Sequence, residues 1–406
     1  MANDYLLDTT EGQAHSPVGG SVMHRILACP GSVLASHGVP EREAGPWADE
    51  GSFAHLFAET RLLNPTDTSL TVGWTSPEWP GQVVDTDMVY HIGRYCTYVA
   101  QIRNAIKGTL FVERRVDYTH LIRGGFGTGD VVVASDEELH IVDLKYGQGD
   151  VVEAQDNEQL LTMAAAELHR LEMISDFKKV VLHIVQPRRE HFDKWETTVE
   201  RVREHAQRIR EVADLIVSDN PPFNPGEKQC KYCAASPCQA QLDQLAQDFD
   251  FTDTPESVGA RPVSSYIDVI ERIPMYEKMF SIMKQRLDEE LRQGIEHPQF
   301  KLVRGRAGAR AFKPDVEESD IVTALSAYVS DPTVLYTTPS LKTPAAIEKE
   351  LKTSKEGKAT LSTFVVQPEG KITFAPVSDK RAAIKPDDIK AELESMGDES
   401  SSDSDA

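Results

Sequence analysis

Residues 126–147 read FGTGDVVVASDEELHIVDLKYG. Two short apolar runs flank the polar turn around Asp136–Leu139, which reads as a pair of β-strands joined by a hairpin. Asp130 stands in the first run, Asp143 at the end of the second, and Lys145 two residues further on. Side chains alternate along a strand, so Leu144 points away while Asp143 and Lys145 share a face. A carboxylate inside such a sheet costs desolvation energy unless something compensates it. A hard divalent cation would do so: Mg2+ takes one or two carboxylates plus waters and substrate oxygens, polarises a phosphoryl group and acidifies an attacking water. Lys145 could then orient or deprotonate that water, or neutralise the charge developing on phosphorus. The plainer alternative for a lone D-x-K triplet is a surface ion pair on a hairpin. Here it follows a GTGD strand start and precedes an Ala/Leu-rich helix carrying Gln159, and that combination favours chemistry.

Outward from this hairpin, TLFVERRVDY reads as a strand before it and DNEQLLTMAAAELHRL as an amphipathic helix after it. KVVLHIVQP is a fourth strand and ERVREHAQRIREVADLIV a polar-faced helix. Upstream, SVMHRILACPGSVLAS predicts a short helix or turn carrying Cys29, broken at Pro30 and Gly31. WADEGSFAHLFAETRLL predicts a helix from about Gly51 that places His55 and Glu59 on one face. MVYHIGRYCTYVAQIRNAI, with Cys96, predicts another. Helix, three strands, helix, strand, helix is the order of a mixed α/β sheet flanked by helices.

The 406 residues allow a core and one or two appendages. The expected divisions are a flexible arm at 1–20, a core at 21–245, a helical extension at 246–314, a small C-terminal appendage at 315–385, helix-poor to mixed, and a disordered acidic tail at 386–406. The extension holds a long helix over 262–293, bent or divided near Pro274. No apolar run approaches the about 20 residues of a membrane span, and the N-terminal stretch has no signal or transit pattern, so a cytoplasmic location is expected. A net charge of −22 excludes a protein that coats nucleic acid by bulk attraction. A polyanion would have to meet local patches, such as Lys301, Arg304, Arg306, Arg310 and Lys313 in FKLVRGRAGARAFK. Those residues fit backbone-phosphate contacts and, equally, a solvated strand pair. No GKT or GKS phosphate loop is present, so ATP-driven unwinding is not encoded here.

Five cysteines are an odd number for a disulfide framework. Cys230, Cys233 and Cys238 form C-x2-C-x4-C, with Cys29 some two hundred residues earlier. Four such thiolates can bind Zn2+ or an iron-sulfur cluster. Cys96 reads as a buried apolar residue.

The signatures LACPGS, ADEGSFAH, GTGDVVV, VDLKYG, DNEQLL, QPR, PGEKQCKYC and FKLVRGR, spread over about residues 22–313, together resemble the PD-(D/E)xK nuclease superfamily. The branch is RecB-like, includes the CRISPR-associated iron-sulfur exonucleases, and has an uncharacterised phage and prophage group closest to this pattern. The resemblance implies a restriction-endonuclease-like mixed central sheet. It implies that His55 joins Asp130, Asp143 and the Leu144 backbone carbonyl around Mg2+ or Mn2+, that Lys145 is the catalytic lysine, and that Gln159 steadies DNA or that lysine. It also implies that Cys29, Cys230, Cys233 and Cys238 hold a structural 4Fe-4S cluster, with Zn2+ as runner-up. Met163 stands where relatives often carry tyrosine. Glu113 is a weaker candidate for an extra acidic group. The expected activity is metal-dependent DNA hydrolysis, most simply an exonuclease acting on single strands or duplex ends in phage replication, recombination or degradation. The acidic tail could solubilise, occupy the DNA groove, or dock on a replication or single-strand-binding protein. The rival is a non-catalytic DNA-binding or scaffolding protein that keeps the fold and the metal.

Overall fold

A computed structural model describes residues 3–9, 15–40, 46–248, 267–305, 311–337, 340–351, 354–366, 372–376 and 379–384. The chain forms two units, Met1–Met279 and Phe280–Ala406. The division falls inside one helix, Ile267–Arg292, which runs unbroken through Pro274, whereas the sequence reading divided the chain near 245 and 314 and expected a bend or break at the proline.

The first unit is built on a five-stranded sheet in the order β1 (Thr109–Asp117), β2 (Phe126–Ala134), β3 (Glu138–Leu144), β4 (Lys179–Gln186) and β5 (His191–Thr197). β1, β2 and β3 form an antiparallel meander, β3 and β4 pair in parallel, and β5 returns antiparallel to β4. The parallel pair needs a crossover, supplied by α5 (Glu158–Leu171). The fold is therefore the expected mixed sheet flanked by helices. β5 was not foreseen. Its sequence HFDKWET is half-buried and charged, as suits an edge strand that must not recruit another.

Each sheet face carries its own apolar layer. Val132, Ala134, Leu139, Ile141, Val180, Leu182 and Ile184 pack with α1 (Met23–Ala28), α5 and α6 (Val199–Ile216). Val131, Val133, Val142, Leu144 and Val185 pack with α3 (Pro46–Leu63) and α4 (Thr86–Ile106). Burying one such side chain contributes about 1.5–3 kcal/mol, so the alternation along β2 and β3 fixes which residues face which helices. α3 starts at Pro46 rather than near Gly51; proline at a first helical turn has no N–H to leave unpaired. Between α1 and α2 (Gly31–Ser36) lies Cys29, the C-cap of α1, as the Pro30-Gly31 break predicts.

The N-terminal segment is not a loose arm over its described part. Leu6, Leu7 and Val18 are buried in the first apolar layer. Gly124 accounts for the seating: its φ is +73°, and a Cβ there would collide with the Leu7 carbonyl.

In the second unit β6 (Phe300–Arg304) pairs with β7 (Ile372–Pro376). A separate small core of Ile321, Leu325, Leu335, Ile347, Leu351 and Leu361 is built on three helices, Glu318–Leu325, Pro344–Glu350 and Lys355–Phe364. The region is thus richer in helix than its sequence suggested. Lys301 Nζ donates to the Asp379 carbonyl at 2.9 Å, and the Arg304 carbonyl accepts from Arg381. These two members of the basic segment belong to the paired strand that was the alternative reading. Arg306, Arg310 and the acidic tail lie outside the described residues. Among the described residues no helix is long and apolar enough to cross a membrane.

Candidate functional site

The strict alternation of β1 and β2 breaks at one level of the sheet. Phe111 faces the α5 side and Val112 the α4 side, so Arg114 and Val116 should follow Val112. Instead Val116 belongs to the α5 layer and Arg114 lies 3.8 Å from Glu167 of α5. The reversal is at Glu113, whose φ of +43° is the left-handed region that a strand residue rarely adopts. On β2, Gly129 faces Met163 of α5, yet Asp130 and Val131 both turn toward α3 and α4. Strain of this kind concentrates at functional sites. Here it aims two carboxylates at one imidazole.

His55 Nδ1, from the middle of α3, lies 3.3 Å from Asp130 Oδ1 and 3.8 Å from Glu113 Oε1. Within this trio one ligand atom from each residue lies within 4.8 Å of the others. Asp143 is not part of the trio but adjoins it. The Leu144 backbone N–H donates to Asp130 Oδ2 at 2.6 Å, which ties the carboxylate of β2 to the end of β3. Leu144 thus enters the site through its N–H, where the resemblance implied its carbonyl. Glu113, rated the weaker candidate, stands in the trio. Apolar alternation could not place it, because the backbone reversal at its own position decides where it points.

Lys145 Nζ lies 2.9 Å from Asp143 Oδ2, and Gln159 joins the two: its Nε2 donates to Asp143 Oδ1 at 2.9 Å and its Oε1 accepts from Lys145 at 3.2 Å. Gln159 is positioned by the start of α5, where the Asn157 side chain accepts from the Leu160 N–H and caps the helix. The sequence-predicted His55, Asp130, Asp143, Lys145 and Gln159 are therefore brought together. Lys145 and His55 open onto a groove of about 370 Å³ with Gly51, Ser52, Tyr146 and Gln186. Arg188 of the QPR motif packs over Tyr146 and pairs with Glu50 of α3 at 2.9 Å, holding that groove's wall.

Burial pushes the Asp143 carboxyl up, against the pull of Lys145. Asp130 is held low: burial opposes ionisation, but His55, Lys145 and the Leu144 N–H outweigh it. Burial alone would lower His55, yet Asp130 and then Glu113 and Asp143 raise it to about 10. Lys145 is likewise raised by the two aspartates despite its burial. As a metal ligand His55 must be neutral. Three carboxylates then face one ammonium, an excess of two negative charges that a divalent cation cancels. Asp143 Oδ2 is buried, and the Lys145 ammonium at 2.9 Å is its partner. Oxygen and imidazole donors suit a hard or borderline divalent ion.

A second trio, Glu153, His191 and Asp193, is a fastener. Asp193 accepts from the Ala154 N–H at 2.7 Å, and His191 Nε2 meets the Val152 carbonyl at 3.0 Å. These bonds pin the loop after Lys145 to the edge strand.

Cys29, Cys230, Cys233 and Cys238 line one small cavity with Phe223, Pro225, Ser32 and Gln241. Cys29 Sγ accepts from the Asn224 N–H at 3.3 Å and Cys230 Sγ from the Gly226 N–H at 3.4 Å. Burial pushes the Cys230 thiol up to about 11. The sulfurs do not form a group lying wholly within 4.8 Å of one another, so they are not set for a single tetrahedral ion, whose 2.3 Å bonds put sulfurs about 3.8 Å apart. Ser32 Oγ and Gln241 Nε2, both lining the cavity, are buried without hydrogen-bond partners among the described residues. Cys96 is half-buried against the α4 layer, away from this group.

Among solved structures, one titled "Crystal structure of SSO0001" is 13% identical, covering 60% of this chain and 98% of that chain, at a TM-score of 0.26. That likeness is too distant to transfer fold or function. The model of the family described as "Protein of unknown function (DUF2800)" matches residues 15–382. The chain belongs to the DUF2800 family.

Proposed function

We propose that the protein is a metal-dependent DNA nuclease of the PD-(D/E)xK, RecB-like kind, acting on DNA ends or single strands during phage or prophage DNA turnover in the cytoplasm. The observation that carries this reading is the joining of Asp130, Asp143, Lys145 and Gln159 within hydrogen-bond and ion-pair reach, beside the His55–Glu113–Asp130 trio. His55, Glu113, Asp130 and Asp143 would hold Mg2+ or Mn2+, which supplies Lewis-acid polarisation of the phosphate and acidification of a water. Lys145 is fixed by Gln159 with its ammonium toward the groove, where it can orient the nucleophile or meet charge developing on the phosphate. Asp130 is kept ionised by its own neighbours, and Asp143 is kept in register by Gln159.

For the four cysteines we favour a structural 4Fe-4S cluster over zinc. A cubane places each thiolate on a different iron, so its sulfurs stand wider apart than on one ion. The backbone N–H donors to Cys29 and Cys230, and the unpaired donors Ser32 and Gln241, suit a sulfur-rich group. Such a cluster would join residues before the sheet to residues after it.

The test is incubation of the full chain with end-labelled single- and double-stranded DNA in Mg2+, Mn2+ or EDTA. Metal-dependent shortening of the label supports the reading; intact DNA under every condition contradicts it and leaves the non-catalytic DNA-binding alternative.

A further inference from the structure

Tyr95 stands in the middle of the buried stripe of α4, formed by Met88, Ile92, Tyr95, Val99 and Ile102. It is 1% exposed, and its hydroxyl is buried with no hydrogen-bond partner among the described residues. A buried tyrosine hydroxyl usually finds a partner, because leaving it without one forfeits the bond that water makes to it in the unfolded chain. Phenylalanine would fill the same stripe without that cost. Tyr118 is the ordinary case: it is as deeply buried, and its hydroxyl lies 2.9 Å from the Phe126 carbonyl and 3.2 Å from that of Val18.

The place of Tyr95 in the fold suggests what the hydroxyl is for. α4 touches both β2 and β3, and Tyr95 lies in the layer of Val131, Val142 and Leu144. Val131 and Val142 are cross-strand partners; Asp130 precedes the first and Asp143 follows the second. Burial, and next the charge of Asp130 with Cys96, Asp143 and Glu113 behind it, push the phenol well above the ordinary tyrosine range. Tyr95 therefore keeps its proton and is a neutral donor rather than a phenolate ligand. A donor without an acceptor thus lies in the field of acceptors. Asp143 is served by Gln159 and Lys145, and Asp130 Oδ2 by the Leu144 N–H. Asp130 Oδ1 meets His55 Nδ1 at 3.3 Å. His55 cannot give the same nitrogen to that oxygen and to an ion.

We propose that Tyr95 is a positioning residue of the metal centre, its hydroxyl donating to Asp130 when a divalent ion engages His55, and so holding that carboxylate beside the Leu144 N–H. The inference rests on the metal-binding part of the nuclease reading. Hydrogen-bond partners of metal ligands fix the orientation of those ligands and strengthen their hold. Tyrosine at this position then lowers the stability of the metal-free protein and raises its affinity for the ion, two effects that separate experimentally.

Tyr95→Phe and Tyr118→Phe, each in the full chain, are unfolded in urea with EDTA and, separately, titrated with Mn2+ in a calorimeter. Tyr95→Phe should unfold in EDTA at the wild-type urea midpoint or above it, yet bind Mn2+ about tenfold more weakly. Tyr118→Phe removes a hydroxyl that already has partners, so its midpoint should fall while its Mn2+ affinity stays at the wild-type value. A Tyr95→Phe midpoint lowered as far as that of Tyr118→Phe overturns the proposal, because the hydroxyl would then have a partner without the ion. Equal Mn2+ binding by wild type and Tyr95→Phe rejects the role of the hydroxyl alone and leaves the nuclease reading standing. The expected loss of Mn2+ affinity, in a protein whose wild type cuts no end-labelled DNA, rejects the nuclease reading alone. A wild type that binds no Mn2+ overturns both.

Discussion

The backbone N–H of Leu144 donates to Asp130 Oδ2 at 2.6 Å, so the last residue of one strand holds the carboxylate of its neighbour. β3 is itself anchored on its other side, because the Lys145 N–H donates to the Val185 carbonyl of β4. Asp130, Asp143 and Lys145 are therefore set on one rigid part of the sheet.

Replacing Asp130 by Ala should do two separable things. The buried Leu144 N–H loses its acceptor, which costs about 1–3 kcal/mol in urea unfolding. Mn2+ affinity, read by calorimetry, should fall at least tenfold. Glu113→Gln should weaken Mn2+ while leaving the Leu144 bond intact, and so affect stability little. Unchanged Mn2+ binding in both variants would remove the trio as a metal site.

Gly124 carries the seating of the N-terminal segment, with φ of +73° and the Leu7 carbonyl where a Cβ would go. Gly124→Ala combines overpacking with left-handed backbone strain and should destabilise the first unit by about 2–4 kcal/mol. Proteolysis near residues 3–9 should accelerate in the same variant. A stability within about 0.5 kcal/mol of wild type would mean that Leu6 and Leu7 are held by something else.

Two buried histidines set an acid limit on stability. His183 bridges the Tyr98 hydroxyl and His140, each at 2.9 Å, and burial lowers its pKa from 6.5 to about 3. His205 meets Thr162 Oγ1 at 2.9 Å, and burial lowers it from 6.5 to about 4. Below pH 6.5 the unfolded chain takes up protons that the folded chain refuses. Stability should thus be full above pH 6.5 and fall as pH drops toward 4, and for His183 toward 3, by about 1.4 kcal/mol per pH unit for each histidine. Urea midpoints between pH 7 and 4.5 measure the slope. His183→Gln should flatten it even though it lowers stability throughout; an unaltered slope would exclude His183 as a source.

Anaerobically purified protein should be brown, carry about four irons, and absorb near 400 nm if the cysteines hold a cubane. Cys29→Ala should then lose the colour and lower the melting temperature, since Cys29 is the one of the four most distant in sequence. Colourless protein with one zinc would replace the cluster with the runner-up ion.

Much of this was legible in the chain because apolar alternation has a period that packing must obey. Val131–Val133 and Ile141–Leu144 announce buried strands, and the amphipathic run DNEQLLTMAAAELHRL announces the helix that delivers Gln159. β5 was not legible, since an edge strand keeps charges where a core strand has valine. Glu113 was half-legible: the sequence offers its carboxylate in the strand before Asp130, but its direction depends on a backbone reversal that no periodicity encodes. The arm expected over 1–20 is instead seated through Leu6 and Leu7, whose packing needs a glycine at position 124 to leave room for the Leu7 backbone.

The rate at which wild type, Asp143→Ala and Lys145→Met shorten labelled single-stranded DNA in saturating Mn2+ bears most directly on the central claim. Metal-dependent cleavage should fall at least a hundredfold in each variant, with Lys145→Met still binding Mn2+. Cleavage by either variant at the wild-type rate would contradict the account.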